Sequence, residues 1–147
     1  MAVFEMIDVI KAPVNKVMSI ANDPKRHHEW VPGVVSVEAA PGQRGRVGEV
    51  WTMTFSMMGM RSKAKATILE WEAGKRAVWK QEGGFEGTET QLYEPAGEGS
   101  TKFTFRTEFR MKGVMGLLGP IVVPMTKRMM RRGGANLKRI CEAETSK

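Results

Sequence analysis

Residues 125–141 read MTKRMMRRGGANLKRIC. Wound at about 100° per residue, Met125, Met129, Met130, Gly133, Leu137, Ile140 and Cys141 gather within about 160° of arc. Lys127, Arg128, Arg131, Arg132, Lys138 and Arg139 fill the other side, and no acidic residue interrupts them. The pattern is that of a long amphipathic helix with one apolar and one cationic face. What precedes it is a run of strands, so the helix is expected to close over a sheet.

The strands are read from a period of two. In Val50 to Met57, one face carries Trp51, Met53, Phe55 and Met57, and the other Val50, Thr52, Thr54 and Ser56. In Lys102 to Met111, Phe103, Phe105, Thr107, Phe109 and Met111 alternate with Lys102, Thr104, Arg106, Glu108 and Arg110. Large residues on one side and solvated residues on the other predict half-buried antiparallel strands. Three more runs, Ala64 to Trp71, Arg76 to Gln81 and Thr88 to Tyr93, lie between them. Gly59, Ala73-Gly74, Gly83-Gly84 and Pro95 to Gly99 punctuate the series at hairpin spacing.

Upstream, Val3 to Ile10 is β-branched and predicts the first strand. Pro13 suits a helix start, with Val14, Val17, Met18 and Ala21 on its apolar side. Asp23-Pro24 opens a second short helix that Pro32-Gly33 ends. Val34 to Glu38 predicts a short strand, and Pro41 to Gly48 a Gly-rich basic turn. Downstream, Val114 to Val123 is apolar but broken by Gly116, Gly119 and Pro120, so a short entry helix or turn is expected. Proline inside a helix costs about 3 kcal/mol, which places the start of the main helix near Pro124. Gly133-Gly134 costs roughly 2 kcal/mol relative to two alanines. Burying five or six apolar side chains at about 1.5–3 kcal/mol each outweighs it. The order of elements is α+β, with helices on one face of an antiparallel sheet.

The chain has 147 residues, 41% of them hydrophobic and 27% charged, which fits a single domain over 1–147 with a real core. One cysteine excludes an internal disulfide framework. Glu5 and Asp8 interrupt the stretch where a secretory signal needs an unbroken apolar run. The longest uncharged apolar run, about 14 residues, falls short of the roughly 20 that span a bilayer. A cytoplasmic protein is expected. Net charge is +7, and the twelve methionines concentrate in Met53 to Met60 and Met111 to Met130. Methionine suits surfaces that adapt to more than one shape.

Three short stretches carry a family likeness: Val9-Ile10-Lys11-Ala12-Pro13-Val14 with Val17, Ala21-Asn22-Asp23-Pro24, and Trp30-Val31-Pro32-Gly33-Val34 with Val37-Glu38. With the meander and the terminal helix, the whole chain resembles the START-like superfamily of polyketide cyclases and dehydrases, birch-pollen-allergen-like proteins and lipid-transfer domains. The resemblance implies a helix-grip fold, in which a curved sheet of about seven strands wraps the C-terminal helix around a cavity for an apolar ligand. The two prolines and the glycine pair of the terminal helix depart from a straight helix.

The candidate ligand-binding residues follow from strand parity and helical phase. On the sheet they are Trp51, Met53, Phe55, Met57, Trp79, Phe103, Phe105, Thr107 and Phe109. On the closing segment they are Leu118, Ile121, Met125, Met129 and Leu137. They predict a closed apolar cavity of a few hundred Å³, with Thr107 as its polar contact; Tyr93 is a second hydroxyl whose face the pattern leaves open. No general acid or base stands out, and no catalytic residue is assigned. A hydrophobic small molecule or lipid is the expected partner, bound or transported, with a cyclase or dehydratase as the alternative. In that comparison, a strongly shifted ionisable group in the pocket favours the enzyme and a wholly apolar pocket favours carriage.

No cofactor is expected. His27 and His28 are neighbours pointing about 100° apart without further ligands, so no metal is expected, and both read as surface residues. Cys141, on the apolar helix face, reads as a buried, inert thiol. The six cations of the terminal helix read first as a solvated face and second as attraction to an anionic membrane. RNA or ribosome contact comes last, because no exposed sheet interleaves aromatic and basic residues.

Overall fold

The computed structural model describes residues 1–39, 45–57 and 59–146; the side chains of Met57, Val114 and Met115 lie outside the description, as do residues 41–44 of the turn expected in 41–48. Strands β1 (Ala2–Ile10), β2 (Val34–Ala39), β3 (Val50–Met57), β4 (Met60–Glu72), β5 (Arg76–Glu82), β6 (Phe85–Pro95) and β7 (Thr101–Met111) form one antiparallel sheet. Its spatial order is β1-β7-β6-β5-β4-β3-β2, so the hairpin meander is closed by the first strand pairing with the last. Helices α1 (Val14–Ala21) and α2 (His27–Trp30) cross from β1 to β2. After β7 come α3 (Val114–Leu117) and the 27-residue α4 (Gly119–Thr145).

Register irregularities between Val34 and Ser36 and between Ile68 and Glu70 mark bulges, which bend a strand and increase its twist. The curved inner face packs on α4, which also meets α1 and α2. This is the helix-grip arrangement. Expected strand parity holds on β3 and β7: Trp51, Met53, Phe103, Phe105, Thr107 and Phe109 are all buried.

Helix α4 begins at Gly119, five residues before the expected start. Pro120 sits in its first turn, where the missing N–H would have had no partner. Pro124 lies inside the helix but on an exposed side, while Val122 is buried and anchors the turn between the two prolines. The Thr126 hydroxyl donates to the Val122 carbonyl at 2.9 Å.

The glycine pair allows close approach to two elements at once. A Cβ at Gly133 would lie 3.2 Å from the Trp30 carbonyl and 3.3 Å from Pro32 Cδ, and one at Gly134 would collide with Met6 of β1. Asn136 Nδ2 donates to the Trp30 carbonyl at 3.2 Å, reinforcing the α2 contact. Further along, Arg26 bridges Glu29 and Glu144, raising its own pKa and lowering those of both carboxyls through hydrogen bonding. The Lys11 N–H donates to Glu142 at 2.9 Å. These contacts clamp the C-terminal half of α4, where Leu137 and Cys141 are fully buried.

Candidate functional site

The inner face of the sheet carries a polar stripe that the sequence pattern does not announce. On β6, Tyr93, Gln91 and Glu89 share the inward parity, opposite Phe103, Phe105 and Thr107 of β7. Glu89 is also the cross-strand partner of Trp79 on β5. A side-chain chain of hydrogen bonds runs along this stripe. Trp79 Nε1 donates to Asn22 Oδ1 at 3.0 Å, and Asn22 Nδ2 donates to Tyr93 Oη at 3.3 Å. The Tyr93 hydroxyl donates to Gln91 Oε1 at 2.6 Å, and Gln91 Nε2 donates to Glu89 Oε2 at 2.6 Å. Gln81 Nε2 reaches Glu89 Oε1 at 3.5 Å.

Burial raises the Glu89 carboxyl from 4.5 to about 7, opposed only in part by the Gln91 hydrogen bond. A carboxyl with this pKa is half protonated at neutral pH. Burial likewise pushes the Tyr93 hydroxyl well above its ordinary value.

His27 belongs to this interior, contrary to the expected surface position. Its ring meets Trp30 and Trp51 edge-on, each with a centroid distance of 5.2 Å, and Trp51 continues to Trp79 at 4.6 Å. Burial, with a smaller contribution from His28, lowers His27 from 6.5 to about 3, so it is neutral. Among the described residues its buried Nδ1 has no hydrogen-bond partner, nor have Trp30 Nε1 and Thr107 Oγ1. His28 is exposed as expected. Trp51 Nε1 donates to Glu49 Oε2 at 2.6 Å, and Glu49 Oε1 accepts the Gly45 N–H at 2.7 Å, so that buried carboxyl is satisfied.

A small, partly open recess of about 10 Å³ lies among Ala21, Asn22, His27, Trp51, Met53, Ala66, Trp79, Gln81, Glu89 and Gln91. That is room for one water-sized group. A larger cleft of about 420 Å³, open to solvent, lies between α1 and the β4–β5 turn, and Asn22 borders both. Neither recess is bounded by Met125, Met129 or Leu137, so the expected closed cavity of a few hundred Å³ is not what these two recesses form.

Of the candidate residues, Trp51, Met53, Trp79, Phe103, Phe105, Thr107, Phe109 and Leu137 are buried, and Phe55, Met125 and Met129 are half-buried. Leu118 and Ile121 do not join them. They are 46% and 70% exposed, because the early start of α4 turns Val122 inward and leaves its neighbours outside. Met57 lies outside the described side chains. Among the described residues, no three His, Cys, Asp or Glu side chains gather as a metal site would require. Cys141 is buried, and burial pushes its thiol up to about 12.

A family model for polyketide cyclase/dehydrase and lipid transport matches residues 1–142. The chain belongs to that family. No curated protein sequence matches this family member. A protein from Thermus thermophilus superposes with a TM-score of 0.80 at 20% identity, covering 97% of this chain and 99% of the other. A START superfamily protein from Mycobacterium smegmatis gives 0.78 at 14% identity, covering 96% and 97%. Ara h 8.0201 gives 0.72 at 17% identity, covering 97% and 98%. At these identities the likeness is one of fold. The chemistry at the interior of such a fold is set by each chain's own residues.

Proposed function

We propose that this polyketide cyclase/dehydrase and lipid-transport family member binds a hydrophobic small molecule or lipid between its sheet and α4, and carries it in the cytoplasm. The observation behind this reading is the uneven packing of α4. Leu137 and Cys141 are fully buried and clamped, whereas Met125, Met129 and Met130, on the same apolar side of the helix, are only half-buried. Methionine side chains yield and refit at low cost. The N-terminal half of α4 is therefore the part that gives way to a ligand, with Phe55, Phe105 and Phe109 beneath it. Native mass spectrometry of protein purified from its own host tests this: a retained lipid or apolar metabolite is expected. Protein that carries no such mass, and whose tryptophan fluorescence no apolar compound changes, overturns it.

A second reading, a cyclase or dehydratase acting on a polyketide-like substrate, is favoured by Glu89. An inward carboxyl with a pKa near 7 is poised to give or take a proton at neutral pH.

For either reading we propose an anionic membrane surface as the meeting place. Lys127, Arg128, Arg131 and Arg132 have no carboxylate partner among the described residues, and exposed Leu117, Leu118 and Ile121 lie just before them. Lys138 pairs with Asp8 at 3.3 Å and Arg139 bonds Asn136, so these two contribute less. Replacing Arg128, Arg131, Arg132 and Arg139 with glutamine should abolish sedimentation with anionic liposomes at low salt. Unchanged sedimentation reduces the stripe to a solvated face.

A further inference from the structure

The open cleft between α1 and the β4–β5 turn has walls that the interior holds in place. Both polar atoms of the Asn22 side chain are engaged, with Met18 and Tyr93 through Nδ2 and with Trp79 through Oδ1, so Asn22 is wall rather than free group. The Gly74 N–H donates to Met18 Sδ at 3.1 Å and ties the turn to α1. Buried Glu49 accepts the Gly45 N–H at 2.7 Å, and Trp71 packs so closely on Gly45 that a Cβ there would lie 3.2 Å from the indole. A recess shaped in advance loses little freedom on being filled. Its volume, about 420 Å³, falls within the roughly 300–1,000 Å³ of small-molecule sites.

Three polar groups lining this cleft are left over. The Asn15 amide, the Ser19 hydroxyl and the Trp71 indole N–H have no hydrogen-bond partner among the described residues. No charged side chain among those residues lines the cleft, so an ion entering it would find no counter-charge. The amide and the hydroxyl can each donate and accept, and the indole donates. Hydroxyl groups complement such a set, because each of them also gives and takes a hydrogen bond. The indole ring, Met18 and Ala73 add apolar surface, which suits a ring with C–H faces and a polar rim. We propose that the cleft binds a neutral, hydroxyl-bearing ring, a saccharide in chemical class, with its C–H face on Trp71 and its hydroxyls at Asn15 and Ser19. This site lies outside the sheet–α4 interior and goes beyond the reading of that interior.

The test follows the indole N–H signals of the four tryptophans in nitrogen–proton correlation spectra, with Trp71→Phe identifying the signal of Trp71. The full-length protein is titrated with the methyl glycosides of glucose, galactose and mannose, and with cyclohexanol and adenosine for comparison. At least one glycoside should shift the Trp71 signal and saturate it at about millimolar concentration, the affinity of a few exposed hydrogen bonds. Asn15 and Ser19 are both exposed, so Asn15→Ala with Ser19→Ala should fold as the parent does. The pair should weaken glycoside binding about tenfold, the size of one or two hydrogen bonds. Saturation by no glycoside overturns the proposal, as does unchanged affinity in the double variant. Cyclohexanol binding as tightly as the best glycoside reduces the cleft to an apolar recess, and tighter binding of adenosine makes it a stacking site for flat aromatic rings; either result also overturns it.

Discussion

Glu89 and His27 lie at the same cavity with pKa values displaced in opposite directions, so removing the charge change of either should expose the other in the pH dependence of stability. Folding raises Glu89 from 4.5 to about 7. Between those values the folded state binds more protons than the unfolded one, so this group's contribution is full below pH 4.5 and is lost as pH rises toward 7. The loss is about 3 kcal/mol. Folding lowers His27 from 6.5 to about 3. Its contribution is full above pH 6.5 and is lost as pH falls toward 3, by about 5 kcal/mol. From pH 4.5 to 6.5 the two slopes oppose and nearly cancel.

Glu89→Gln keeps an oxygen for one amide donor and removes the titration. Its stability relative to the parent should therefore climb with pH, by about 3 kcal/mol between pH 4.5 and 6.5. His27→Phe keeps the edge-on ring packing and should tilt the other way. Urea denaturation at half-unit pH steps, comparing slopes rather than absolute values, measures this. Parallel profiles for parent and Glu89→Gln would refute the buried-acid reasoning.

Two further outcomes are expected. Gly87→Ala should destabilise far more than Gly134→Ala, because a Cβ at Gly87 meets the backbone of Glu108 and Phe109, whereas one at Gly134 meets the flexible end of Met6. The latter should cost about 1–3 kcal/mol of overpacking, offset by about 1 kcal/mol of helix propensity, and thermal melts of the two variants check the order. Cys141, with its thiol pushed up to about 12 and fully buried, should resist iodoacetamide at pH 8 in the native state and react in urea. Rapid labelling of native protein would count against it.

The framework was legible wherever one face of an element is apolar and the other charged. Strands β3 and β7 and the body of α4 meet that condition, and their buried residues fall on the anticipated side. Strand β6 does not. Its inward residues Gln91 and Glu89 are as polar as the outward Thr88 and Thr90, so alternation carried no information about which would be enclosed. His27 escaped for a different reason: what encloses it is Trp51, from a strand on the far side of an intervening turn, and no local pattern records such a meeting. The start of α4 was misplaced because proline was weighed as a breaker, when Pro120 falls where an N–H has no work to do and Pro124 faces outward.

The pairing of β1 with β7 sets residues 2–10 against 101–109. Every other strand pair in the sheet joins elements next to each other in sequence, so those pairs can zip locally as hairpins. Strand β1 cannot; it must wait through the synthesis of six further strands for its neighbour. Until then Val3, Ile7 and Val9, which remain solvent-facing even in the finished protein, sit on a bare strand beside Phe4 and Ile10. The emerging chain thus holds a sticky N-terminal segment for most of its time on the ribosome. A chaperone that shields the first dozen residues should raise the yield of folded protein more than one acting after release.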